Sequence, residues 1–208
     1  MIFCIIFVNI FVDKQIKAMN QSIGKYIEML CSKHNVSQSA VAREINVSRQ
    51  LLSCVICDKR ELSLQLAMKL EAFFSLPEGE LMKMQAIQAV AQRKKSIKED
   101  LCRKLIANNA FWSFDINSIS EIPDEEIIEK SFSVLDMDDI GLMFEIYPRK
   151  KILHVWRERM AIQGDYMKML NIMIAMYYFG IQNPEKYLAR IEREHINKLL
   201  KHATGVNS

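Results

Sequence analysis

The chain has 208 residues, half of them hydrophobic, enough to bury the core of one large domain or two small ones, which excludes a disordered tail. Six glycines and four prolines against thirteen methionines, with abundant Leu, Ile, Lys and Glu, favour helices over sheets, so the expected fold class is all-α. A formal net charge of +3 excludes a polycation, and five cysteines, an odd set without regular spacing and with no secretory signal, point to a reducing cytoplasm.

In chain order, Met1 to Val12 come first, apolar apart from Asn9. The stretch is shorter than the roughly 17 to 25 apolar residues that a membrane-spanning helix needs, and no Lys or Arg precedes it. Helical periodicity begins only past Met19, just before Asn20-Gln21-Ser22. Residues 1–19 are therefore expected to be an extension. The favoured reading is a start assigned too early, with Met19 the true one; a packing arm and a membrane contact are the others, and no membrane partner is expected.

A first domain is expected over residues 20–92. Ser22 is placed to cap a helix in which Ile23, Ile27, Leu30 and Cys31 recur at helical spacing, ending near Lys33-His34-Asn35. Val36-Ser37-Gln38-Ser39 opens a short second helix with Val41, Ala42 and Ile45 inward. Asn46-Val47 then separates it from Ser48, the cap of a third helix that runs to about Cys57. Leu62-Ser63 starts a fourth, with Leu66, Ala67, Leu70, Phe73 and Phe74 on its apolar side. Pro77-Glu78 starts a fifth, which carries Leu81, Met82 and Met84. The basic run Gln92 to Lys98 marks a boundary or a long connecting helix.

Residues 93–208 are expected to form a second helical domain for interaction. Its helices fall near 96–109, 124–135, 137–147, 149–160, 165–179 and 184–202, with Pro123, Pro148 and Pro184 where first turns begin.

The segment Val36–Arg60, VSQSAVAREINVSRQLLSCVICDKR, holds two helices joined by a turn of helix-turn-helix length. Ala42 allows a close crossing, Val47 plugs the turn, and Leu52, Val55 and Ile56 anchor the third helix. Its free face offers Ser48, Arg49, Gln50 and Ser53, residue types that pair with base edges: Arg takes guanine through two bonds and Gln takes adenine. Gln38 and Ser39 stand where backbone phosphate meets the amide groups and dipole of the second helix, and Lys59 and Arg60 add charge past the third.

Through NVSRQLLS, DKRELSLQLAMKLEAFF and PEGELMKMQ, about a third of the chain resembles the lambda-repressor-like (Xre) family, and more closely its HigA branch of antitoxins. The resemblance implies a five-helix domain that binds double-stranded operator DNA as a homodimer and represses its own toxin-antitoxin operon. It also implies that part of the chain neutralises a partner toxin by binding it. Two positions depart from the family: Cys54 replaces a basic residue, and Asp58 stands where a Gly often ends the recognition helix. A lost phosphate contact and an added like charge imply moderate affinity. A stand-alone Xre-type regulator, whose second domain dimerises or senses a ligand, is the alternative, and an interaction scaffold with a relic reader is a third.

Residues 108–202 are similar to a helical domain of antitoxin-like proteins, several paired with AbiE-type nucleotidyltransferase toxins. The likeness is carried by Phe111-Trp112, YPRKKILHVWRER and YYFGIQNPEKYL. The apolar stripe Tyr166, Met169, Leu170, Met173, Ile174 and Tyr177 is expected to be core, with a partner groove as the alternative. The basic cluster Arg149-Lys150-Lys151 with Arg157 and Arg159 is expected to be a solvated face, with phosphate or an acidic toxin surface as its other use.

No catalytic residue is expected, and the chain reads as no enzyme. Cys54 and Cys57 lack the further ligands that zinc requires. His34, His154, His195 and His202 are scattered, and the acidic runs at Asp124 and Asp136 suit helix starts. There is no phosphate loop or nucleophile elbow, so neither metal nor cofactor is expected.

Overall fold

The computed structural model describes residues 22–111 and 122–203, and the fold is all-α, with no strand among the described residues. The expectations attached to residues 1–19, and to Trp112, lie outside that range. The chain divides into two compact units, residues 1–93 and 94–208, each with its own core.

The first unit holds α1 (Ile23–Lys33), α2 (Gln38–Glu44), α3 (Arg49–Ile56), α4 (Leu64–Phe74) and the start of α5 (Glu80–Ala107). Each of α1 to α4 starts on a serine. The hydroxyls of Ser22, Ser37, Ser48 and Ser63 accept from the backbone N–H three residues on, at 3.1 to 3.3 Å. Each also ends with a residue at positive φ: Asn35, Asn46, Asp58 and Ser75. There the next N–H turns back to a carbonyl five residues earlier, as from Val36 to Cys31 and Val47 to Ala42. The inward faces meet in a core where Ile27, Val41, Leu52, Ala67, Leu70 and Leu81 have no exposure. Burying a side chain such as Leu52 stabilises the fold by about 2 kcal/mol.

The buried carboxylate of Glu71 on α4 takes the N–H groups of Gly79 and Leu81 at 2.9 and 2.8 Å, capping α5. Tyr26 donates to Glu80 at 3.0 Å; burial, and then the bond to Glu80, pushes its phenol up to about 12. The basic run, readable as a boundary between helices starting near 77 and 96 or as a long connecting helix, lies inside one continuous helix of 28 residues, α5. Its sequence lacks Gly and Pro and is rich in Ala, Leu, Met, Gln, Lys and Arg. Propensity therefore carries it through residues 89–96, all solvent-exposed, where no core supports it.

The second unit adds α6 (Asp124–Val134), α7 (Met137–Ile146), α8 (Arg149–Val155), a π turn (Trp156–Met160), a 3₁₀ turn (Gly164–Met167), α9 (Lys168–Tyr177) and α10 (Pro184–Ala203). Trp156 is fully buried, and its Nε1 donates to Asn171 Oδ1 at 2.8 Å. Asn171 Nδ2 in turn donates to the Met160 carbonyl at 2.9 Å. One buried amide thus serves both an indole and a carbonyl at the π turn, where the ladder is irregular. Around it Phe144 stacks on Tyr178 and Trp156 on Tyr187, at 5.5 and 6.2 Å between ring centroids.

A polar node forms at the start of α6, where Asp124 accepts from Lys98, Lys151 and Tyr147 at 2.8, 2.7 and 2.9 Å. Burial pushes the Asp124 carboxyl up, but the hydrogen bonds from Lys151, Lys98 and Tyr147 outweigh it and hold it at about 2.

Two expectations about this unit meet the structure differently. The stripe expected to be core is mostly outside: Tyr166, Met169, Met173 and Tyr177 are exposed, and only Ile174 is buried. Helix α9 is apolar on both sides, so periodicity could not say which side faces inward; Asn171 on the buried side decides it. Of the basic cluster, Lys151 is bound to Asp124, Arg157 and Arg159 reach Glu194 and Glu129 at 3.8 and 3.4 Å, and Arg149 lies over the Phe179 ring. Much of its charge is neutralised locally.

Candidate nucleic-acid interface

Helices α2 and α3 are joined by the four residues 45–48. Asn46 takes φ 51°, a conformation that Asn tolerates better than most residues, and the Val47 N–H closes on the Ala42 carbonyl at 2.9 Å. Lys69 of α4 donates to the Asn46 carbonyl at 3.3 Å. The turn is therefore held from within and from α4. Ala42 is buried, consistent with the need for a small residue where α2 and α3 approach.

Helix α3 is amphipathic over only eight residues. Leu52, Val55 and Ile56 are buried, so the positions at its amino end and opposite face point outward. Ser48, Arg49 and Gln50 are exposed and Ser53 is half-buried. Gln50, Ser53 and Cys57 recur at spacings of three and four and share one side of the helix. The Ser48 oxygen accepts from Leu51 N as the helix cap, while its O–H remains a donor. Gln38, half-buried, and Ser39, exposed, occupy the first two positions of α2.

Neither α2 nor α3 carries an acidic residue in its first turn. In the second unit α6 carries Asp124, Glu125 and Glu126 there, and α7 carries Asp138 and Asp139. The dipoles of α6 and α7 are answered by the chain's own carboxylates; those of α1 to α4, α8 and α9 have no first-turn carboxylate, so this feature is common to all four amino-terminal helices and does not single out α2 and α3. Arg43, exposed in the last turn of α2, and Lys69 are further cations that pattern reading passed over.

Lys59 and Arg60 are exposed but lie past the far end of α3, about 12 Å along its axis from Arg49. Arg60 lines a groove of about 160 Å³ with Ile23, Asp58 and Gln85, beside the start of α1. The residues cast as DNA contacts thus form two groups: the amino ends of α2 and α3, and the loop after α3. Asp58 is directed to α1, where its Oδ1 accepts from the Gly24 N–H at 3.3 Å. Cys54 is half-buried and Cys57 exposed, both as free thiols.

In the second unit, Lys186, Arg190 and Arg193 repeat at helical spacing along α10 and line a groove of about 590 Å³ with Tyr187, Gln182 and Asn183. Among the described residues Lys186 and Arg193 have no ion-pair partner, unlike Lys151, Arg157 and Arg159 of the basic cluster that the sequence singled out. Among the described residues no helix is long and apolar enough to cross a membrane. No family model matches the chain, and neither a curated protein nor a solved structure matches it.

Proposed function

We propose that the first unit is a helix-turn-helix reader of double-stranded DNA, of Xre type, and that the chain is a HigA-like antitoxin of the cytoplasm that works by binding and is not an enzyme. The observation that carries this reading is the presentation of Ser48, Arg49 and Gln50 at the amino end of a helix anchored by Leu52, Val55 and Ile56 and joined to α2 by a four-residue turn. A third helix of this kind enters the major groove with its amino end at the bases, while the helix before it crosses the phosphates. Arg49 and Gln50 read base edges, Gln38 and Ser39 meet phosphate, and Lys59 and Arg60 add a second phosphate contact. Two copies read an inverted repeat and repress the operon that encodes them. In the second unit, Lys186, Arg190 and Arg193 are the cations that an acidic surface of a partner toxin would meet.

Selection of bound duplexes from a random pool tests the first part. The full chain should enrich an inverted repeat with half-sites about one helical turn apart. Arg49→Ala with Gln50→Ala should weaken that site by a few kcal/mol, about 1 to 3 per lost base pair contact, and leave non-specific binding little changed. Enrichment of no sequence would sink the DNA reading. For the second part, co-expression should relieve growth arrest by the toxin encoded beside this gene; arrest that persists removes the antitoxin role. The exposed apolar side of α9 favours a second reading, a stand-alone regulator that dimerises through its second unit.

A further inference from the structure

The outward side of α9, with the 3₁₀ turn before it, carries large apolar side chains where a solvated helix carries charge. Tyr166 is 91 % exposed, Met169 77 %, Met173 44 %, Met176 55 % and Tyr177 65 %. Within α9, Met169, Met173 and Met176 follow at intervals of four and three, the spacing of a seam that faces another helix, and Tyr166 stands exposed in the turn just before them. One exposed methionine needs no explanation, but a row of five such residues marks an interaction surface. The opposite side of α9 is already engaged. Ile174 and Ala175 are buried, and Asn171 holds Trp156 and the Met160 carbonyl. The stripe therefore cannot turn inward without breaking that core.

Charge and shape indicate what covers it. Between residues 166 and 183 the only ionic side chain is Lys168, which lies 3.8 Å from Asp165, so the stripe offers a highly charged partner almost nothing to pair with. The stripe is, however, complementary to itself. Within α9, Met173 lies midway between Met169 and Tyr177. In an antiparallel pair with its two-fold axis at Met173, Met173 meets its own copy and Met169 meets Tyr177 of the second copy. No like charges are opposed. The five side chains offer on the order of 600 Å² per copy, close to the roughly 800 Å² that each partner contributes to a standard stable interface.

We propose that α9 is a self-association surface, on which a second copy of this chain docks antiparallel about Met173. The inference rests on the dimer of the reading above but not on its DNA target. Sedimentation equilibrium of the full chain tests it. The wild-type chain should be a dimer at micromolar concentration, and Met169→Glu, at a position remote from the core, should raise the dissociation constant at least about 100-fold. Met173→Cys should form a disulfide-linked dimer under mild oxidation, beyond the background that the exposed Cys57 sets in the wild type. A wild-type chain that remains a monomer overturns the proposal and leaves the face to another protein. So does a dimer that Met169→Glu leaves intact. A wild-type dimer that binds no DNA removes the DNA reading and leaves this surface standing.

Discussion

The backbone of Gly24, in the first turn of α1, lies so close to the end of α3 that a Cβ on it would overlap the Ile56 carbonyl oxygen. The Gly24 N–H also reaches Asp58 Oδ1, just beyond Ile56. Helix α3, which presents Arg49 and Gln50, is thus fixed at its far end by backbone contact with α1. Neither the carbonyl nor α1 can yield to a methyl group without moving a helix.

Gly24→Ala should therefore destabilise the first unit by about 3 kcal/mol, the upper end of what overpacking costs in a tight core. Gly141, on the exposed side of α7 with nothing near its missing Cβ, is the control; Gly141→Ala should be neutral or add about 0.5 to 1 kcal/mol. Hydrogen exchange of the α1 and α3 amides reads the first and thermal unfolding the second. Equal effects at the two positions would remove the contact argument.

Asp58 shows where pattern reading ran short. As a departure from a family glycine it suggested only an unwanted negative charge, but it sits at φ 54° and accepts from Gly24. The backbone conformation is one that glycine adopts most readily, and the hydrogen bond to Gly24 gives Asp a use here. Sequence alone carries neither, because both depend on α1 returning to the end of α3. The serine caps and the apolar spacings in α1 to α4 were legible, since each signal is local to the helix that it shapes. The continuity of α5 was one of the two readings that its basic run left open; what was not legible was long-range, the choice between two apolar sides of α9. The latter was settled by Asn171, a polar residue placed inside by its bonds to Trp156 and Met160.

The free dipoles of α2 and α3 set stability against binding. Gln38→Glu places a carboxylate in the first turn of α2, where it should stabilise the helix by about 0.3 to 1 kcal/mol. The same charge faces the proposed phosphate and should weaken DNA binding. A more stable variant with lower affinity, seen by unfolding and by fluorescence anisotropy, is the expected outcome. Unchanged or tighter DNA binding would place the phosphate elsewhere.

Asp124 gives the second unit a pH dependence of definite sign. Its carboxyl is held at about 2 in the folded chain against about 3.9 in an unfolded one. Because the folded value is the lower, its contribution is fully present above the unfolded value and is lost as pH falls from about 4 through about 2. The linked free energy is on the order of 2 kcal/mol, reduced in practice because the carboxylate is partly reached by solvent. Asp124→Asn removes the charge and leaves Lys98 and Lys151 facing each other without their shared anion. The variant should be less stable than the wild type at neutral pH, and the gap should close on acidification to about pH 2. Tryptophan fluorescence follows this unit selectively, because Trp112 and Trp156 both lie beyond residue 94. A gap that stays constant between pH 6 and pH 2 would mean that Asp124 acts by packing and hydrogen-bond shape, not by its charge.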